Sequence, residues 1–119
     1  RMAVAPDGKI WIAEFNTGRV TSFDPASEKF ESFDTGLGAA GIYDVEVDPR
    51  NGDVWLAAAL ASELIHLDAK TKKFTRYPLP TEPAYMRHLA IDAKNGDVWS
   101  AYSSLPTAVP KVVRLRRLP

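Results

Sequence analysis

Three tryptophans, Trp11, Trp55 and Trp99, stand 44 residues apart. Gly8, Gly52 and Gly96 keep the same interval, as do Asp24 and Asp68, Lys29 and Lys73, and Phe30 and Phe74. Phe33 and Tyr77 form an aromatic pair at that offset, and Asn-Gly-Asp-Val-Trp occurs twice unchanged, at 51–55 and 95–99. A fixed period across glycine, aspartate and apolar positions is the mark of a repeat architecture, in which one supersecondary unit is stacked on its copies.

Each unit reads as short strands. Val45-Glu46-Val47 and Leu89-Ala90-Ile91 alternate as strands do. A turn follows, Pro6-Asp7-Gly8 in the first unit and Asn-Gly in the other two. Asn-Gly is a hairpin signal because both residues tolerate positive φ. Second strands are expected over 9–15, 53–59 and 97–103, third strands over 20–23, 64–67 and 112–115, and fourth strands over 30–33 and 74–79. No stretch of helical length has 3.6-residue periodicity. Four antiparallel strands in about 40–45 residues is the period of a β-propeller blade. Ile10-Trp11-Ile12-Ala13 and Val54-Trp55-Leu56-Ala57 are apolar at consecutive positions. Both faces of these strands are therefore covered, as a blade between two neighbours requires. The WD40 signature is absent.

The expected fold is all-β, with about three blades of an incomplete ring: residues 1–42, 43–85 and 86–119. The third blade lacks a fourth, outermost strand. Three blades do not close, since rings have about 4–8. The open faces would then be apolar and need a partner. That partner is either the remaining blades of a longer chain, the favoured expectation because Arg1 starts abruptly on a strand, or other copies of this one.

Composition excludes several classes. Apolar residues at 45% and charged residues at 25% are ordinary globular values and rule out a disordered chain. Fifteen basic and fifteen acidic residues argue against a nucleic-acid partner. No apolar run spans a membrane, so no membrane insertion is expected. Without cysteine there is no disulfide and no thiolate site. Charge is uneven along the chain, −4 over residues 1–50 and +4 over 51–119. Part of the excess lies at Lys70-Thr71-Lys72-Lys73, read as a solvated turn, and part at Arg114, Arg116 and Arg117 on the terminal strand. Charge on such a strand protects an edge.

The segment Gly8 to Glu14 resembles the tryptophan strand of the streptogramin B lyase-like (virginiamycin B lyase-like) propeller family. Arg19 to Pro25 is similar to the family's third strand, and Phe74 to Thr81 looks like its outer strand and linker. The resemblance runs blade by blade over nearly the whole chain. It implies a propeller and an extracytoplasmic (periplasmic or secreted) location. For the lyases it further implies Mg2+ and axis-facing histidines and a glutamate that open a cyclic depsipeptide by elimination. The family's histidine slot, at the start of the innermost strand, falls on Arg1, Asp44 and His88. Its glutamate slot, three residues after the tryptophan, falls on Glu14, Ala58 and Tyr102. No blade carries both family residues, and Asp44 breaks the run of histidines.

The leading expectation is a binding scaffold whose channel mouth presents Arg1, Asp44, Arg87 and Tyr102, with a ligand or protein partner held there and by the insertion Ser103–Pro110. The alternative is a lyase or hydrolase using His88 and Glu14, with Glu14 as the candidate metal ligand and blades outside this chain completing the site. A third is a structural subunit docked through open blade faces. His66 lies nearer the outside. Asp48 to Asp53 and Asp92 to Asp97 have the look of calcium loops, but hairpin turns account for them.

Overall fold

In the computed structural model, which describes residues 1–104, 109–116 and 118, the repeat becomes three antiparallel sheets with no helix among the described residues. The first contains β1 (Met2–Val4), β2 (Ile10–Glu14), β3 (Arg19–Asp24) and β4 (Lys29–Asp34) in sequential order. The second contains β5 (Ile42–Val47), β6 (Val54–Ala58), β7 (Glu63–Leu67) and β8 (Phe74–Pro78). The third contains β9 (Leu89–Ile91), β10 (Val98–Ser104) and β11 (Val109–Leu115). β5 starts at Ile42, the last residue of the first expected blade.

Cross-strand pairing fixes the equivalence of the units. Ala3 faces Trp11, Glu46 faces Trp55 and Ala90 faces Trp99. The innermost strands β1, β5 and β9 are neighbours, with β5 packed between the other two sheets. This is the blade arrangement of a partial propeller.

Side-chain alternation on β6 shows why both faces had to be apolar. Val54, Leu56 and Ala58 enter a core with Trp11, Val20, Ile42, Val45, Ile65 and Leu67, between the first and second sheets. Ala57, with Trp55 against it, enters another with Leu64, Met86, Leu89, Val98 and Tyr102, between the second and third. At about 25 cal/mol per Å² of apolar area removed from water, these two seams are the main source of cohesion between the sheets.

The hairpin turns differ from the expected two-residue form. Only glycine takes positive φ there, +82° at Gly52 and +79° at Gly96. The aspartates instead close a wider loop: Asp48 Oδ1 accepts from the Arg50 N–H and Asp92 Oδ1 from the Lys94 N–H, both at 2.9 Å. Asn51 and Asn95 accept from the N–H two residues on. These oxygens serve the loop itself. The Arg50 guanidinium lies over Gly96, in the space a Cβ would take, and would have to swing aside for a larger residue.

The insertion is also corrected. Ser103 pairs with Pro110 and Ser104 with Val109, so its ends lengthen the β10–β11 hairpin instead of forming loop. Residues 105–108 and Arg117 lie outside the described residues.

Candidate functional site

Arg1, Asp44 and His88 hold one position in three successive blades. The Ala13 N–H donates to the Arg1 carbonyl, and Asp44 faces Ala57, one repeat later. Because side chains on a strand alternate, this position points from the first and second inner strands toward the following sheet, and His88 on the third meets them there. The three side chains converge. Asp44 is 1% exposed. Its Oδ2 lies 2.8 Å from His88 Nδ1 and accepts the Leu89 N–H at 2.8 Å. Its Oδ1 is 3.8 Å from Arg1 Nε, and Arg1 Nη1 is 3.2 Å from His88 Nδ1. Nδ1 is thus the ring nitrogen that meets both the Asp44 carboxylate and the Arg1 guanidinium. Arg1 and His88 are themselves exposed.

Glu46 joins the group from two residues along the same face of β5. Burial, and then the charge of Asp44, push its carboxyl above the ordinary value; His88 and Arg1 pull the other way. Asp44, Glu46 and His88 bring potential ligand atoms within 4.8 Å of one another. They do not fit a resident Mg2+. Both near oxygens of Asp44 are engaged, Oδ2 by the Leu89 N–H and Oδ1 by Arg1, the third donor is an imidazole where Mg2+ takes oxygen, and the Arg1 guanidinium already supplies the compensating positive charge.

The second slot does not reach this cluster. Its side chains point toward the preceding sheet, which explains all three occupants at once. Glu14 lies on the outer face of the first sheet, where its carboxylate accepts hydrogen bonds from Thr17 Oγ1 at 2.7 Å and from the Thr21 hydroxyl. Arg19 Nε stands 3.5 Å away. The two threonine hydroxyls hold its carboxyl below the ordinary range. Ala58 is buried in the first seam and Tyr102 in the second. Glu14 and His88 therefore form no common site, and Tyr102 belongs to the core and not to the mouth.

Beside the charged cluster runs an aromatic row. Phe15 and Tyr43 meet edge to face at 5.9 Å, and Tyr43 and Tyr85 at 6.0 Å. Arg87 lies 5.6 Å from the Tyr85 ring centroid. Arg1, Phe15 and Tyr43 line an open cavity of about 350 Å³. Sequence reasoning named Arg87 but missed the row and Glu46. Two-residue alternation from Asp44 identifies Glu46; the aromatic positions have no signal in the repeat.

No known family's sequence pattern and no curated protein matches the chain. Solved structures do. Virginiamycin B lyase from Staphylococcus aureus aligns with 96% of this chain and 40% of its own, at a TM-score of 0.76 and 16% identity. The catalytically inactive form of that lyase with quinupristin aligns with 98% of this chain and 40% of its own, at the same score and identity. Hydrazine synthase from Kuenenia stuttgartiensis aligns with 97% of this chain and 33% of its own, at 0.80 and 14%. The chain thus has the streptogramin lyase-like β-propeller fold, and spans less than half the length of each of these proteins.

Proposed function

We infer that this propeller module binds a ligand at the mouth formed by its inner-strand ends. The observation that carries the reading is the convergence of Arg1, Asp44 and His88, one residue per blade, on a single buried carboxylate. A buried charge is costly unless paired, so the cluster holds its exposed donors in fixed positions. Arg1, Arg87 and His88 then offer a polar rim, and Phe15, Tyr43 and Tyr85 offer ring faces and edges beside it. Such a surface suits a carbonyl-rich ligand with planar groups, and a cyclic depsipeptide such as quinupristin, present with the related lyase, is the natural probe. An extracytoplasmic setting belongs to the same reading.

Two other readings have an observation each. The exposed His88 imidazole, held at Nδ1 by Asp44, is placed for proton transfer, as an elimination requires. Exposed Met2, Val4 and Phe30 on the first sheet, and Trp99 and Val112 on the third, favour docking of further blades from the same chain or from other copies.

One experiment separates these. Quinupristin is titrated into the full-length protein while amide shifts and the mass of the peptide are followed. Shifts centred on Tyr43, Asp44 and His88 with the ring intact support the binding module. A linearised peptide supports the lyase. No shifts at the mouth, with association detected by sedimentation, leaves the structural subunit.

A further inference from the structure

The repeat carries an aromatic pair that the rim reading does not use. Blade 1 shows how the repeat treats this pair. Trp11 and Phe33 lie with centroids 5.5 Å apart. Lys72, from the β7–β8 turn of the next blade, sets its Nζ 5.9 Å from each centroid. The same ammonium donates to the Ala69 carbonyl at 2.5 Å.

Trp55 and Tyr77 are the same two positions one repeat later, 5.8 Å apart. In front of them, between the second and third sheets, lies a cavity of about 390 Å³. Among the described residues no lysine or arginine sits over either ring; the His66 imidazole, which stands where blade 1 has Ser22, lies 4.7 Å from the Trp55 ring and leaves the Tyr77 side of the pair for a cation. The polar wall here is also more acidic than in blade 1. Where the first repeat has Lys9, the second has Asp53, whose Oδ2 lies 2.8 Å from His66 Nε2 and whose Oδ1 accepts the Ala69 N–H at 2.9 Å. Asp68 lines the cavity too, and its carboxyl is held below the ordinary range by the N–H groups of Thr71 and Lys70. Asp48 is offset by Arg50, 2.8 Å away, and Arg116 is a basic member of the same lining.

We propose that this cavity binds a primary ammonium group, seated against Trp55 and Tyr77 as Lys72 is seated against Trp11 and Phe33, with Asp53 and Asp68 as counter-charges. Ring faces attract cations through their quadrupole, and nearby carboxylates add a second attraction. The site lies toward the Asp48–Asp53 turn, one cross-strand step from Glu46, and shares no lining residue with the rim. The ammonium comes either from a lysine of a polypeptide or from a free small amine.

The test follows the indole N–H resonance of Trp55 in the full-length protein. Propylammonium, the peptide acetyl-Gly-Lys-Gly-amide and, as the uncharged match, propanol are titrated separately. Saturable shifts with both cations and none with propanol are expected. Tighter binding of the peptide assigns a polypeptide source, and equal or tighter binding of propylammonium a free amine. Asp53→Asn and Tyr77→Leu are each expected to weaken binding about threefold to tenfold, with the circular dichroism of the wild type retained. Asp68→Asn, which leaves the His66 contact in place, gives the same direction. Equal shifts with propanol, no saturation with either cation, or unchanged affinity in folded Tyr77→Leu and Asp68→Asn proteins would overturn the proposal.

Discussion

The middle blade and its two flanking blades are built from one repeat and end in different environments. Trp11 is 5% exposed, because the second sheet covers it. Trp55 is half-buried along the cavity before the third sheet. Trp99 is 37% exposed, with Arg114 lying over its ring. The rim has its own gradient: Asp44 of the middle blade is buried, whereas Arg1 and His88 on either side are exposed. A repeat position thus specifies direction, toward one neighbouring sheet or the other. Burial and charge state follow from what that neighbour supplies.

Truncating equivalent tryptophans should separate the blades most strongly. In the 119-residue chain Trp11→Ala is expected to lower stability by about 3–5 kcal/mol, and Trp99→Ala by about 1 kcal/mol or less, measured by urea unfolding. Equal losses would mean that something covers the third sheet as the second covers the first. Next in size is Asp44→Ala. It strips the buried Leu89 N–H of its acceptor and is expected to cost about 1–3 kcal/mol, whereas Glu14→Ala, acting on an outer face, is expected to cost less in the same assay.

The rim and the outer face also respond oppositely to pH, through Glu46 and Glu14. The folded carboxyl of Glu46 is raised above the ordinary value of 4.5, so the native state holds its proton longer than the unfolded state. Stability from this group therefore falls as pH rises from about 4.5 through the folded value, and is level above it. Glu46→Gln is expected to remove that part of the decline, read from urea midpoints between pH 4 and 8. Glu14, lowered by its threonines, contributes with the opposite sign, its stabilisation being lost as pH falls below the ordinary range. The smallest effect is at Lys72. Lys72→Met removes an exposed cation from two rings and is expected to cost about 0.5–1 kcal/mol.

Much of the fold was legible in the sequence for a physical reason. The tryptophan strands are apolar at consecutive positions, which only a sheet covered on both sides accepts, and the 44-residue interval then carries strand order and register from blade to blade. The equivalence of Arg1, Asp44 and His88 was legible in the same way. Their meeting was not, because it depends on three inner strands lying close enough for side chains to reach across. Asp44 reads in sequence as an interruption and is in the structure the hub. Glu14 reads as a channel acid, but its register turns it to the face away from the second sheet, where hydroxyls of Thr17 and Thr21 claim it. The insertion reads as loop because Ser103, Ser104 and Pro110 are poor strand formers; the pairing of its ends extends an existing ladder and overrides their preference.

One buried carboxylate ties successive blades together at the rim, and amide exchange at Leu89 reads that tie. Its N–H donates to Asp44 Oδ2 at 2.8 Å. Under native conditions Leu89 is expected to be protected in the wild-type protein and in Glu14→Ala, and to lose protection in Asp44→Ala while Val45 and Val98 in the adjoining strands keep theirs. A Leu89 amide as slow to exchange in Asp44→Ala as in the wild type would contradict the account.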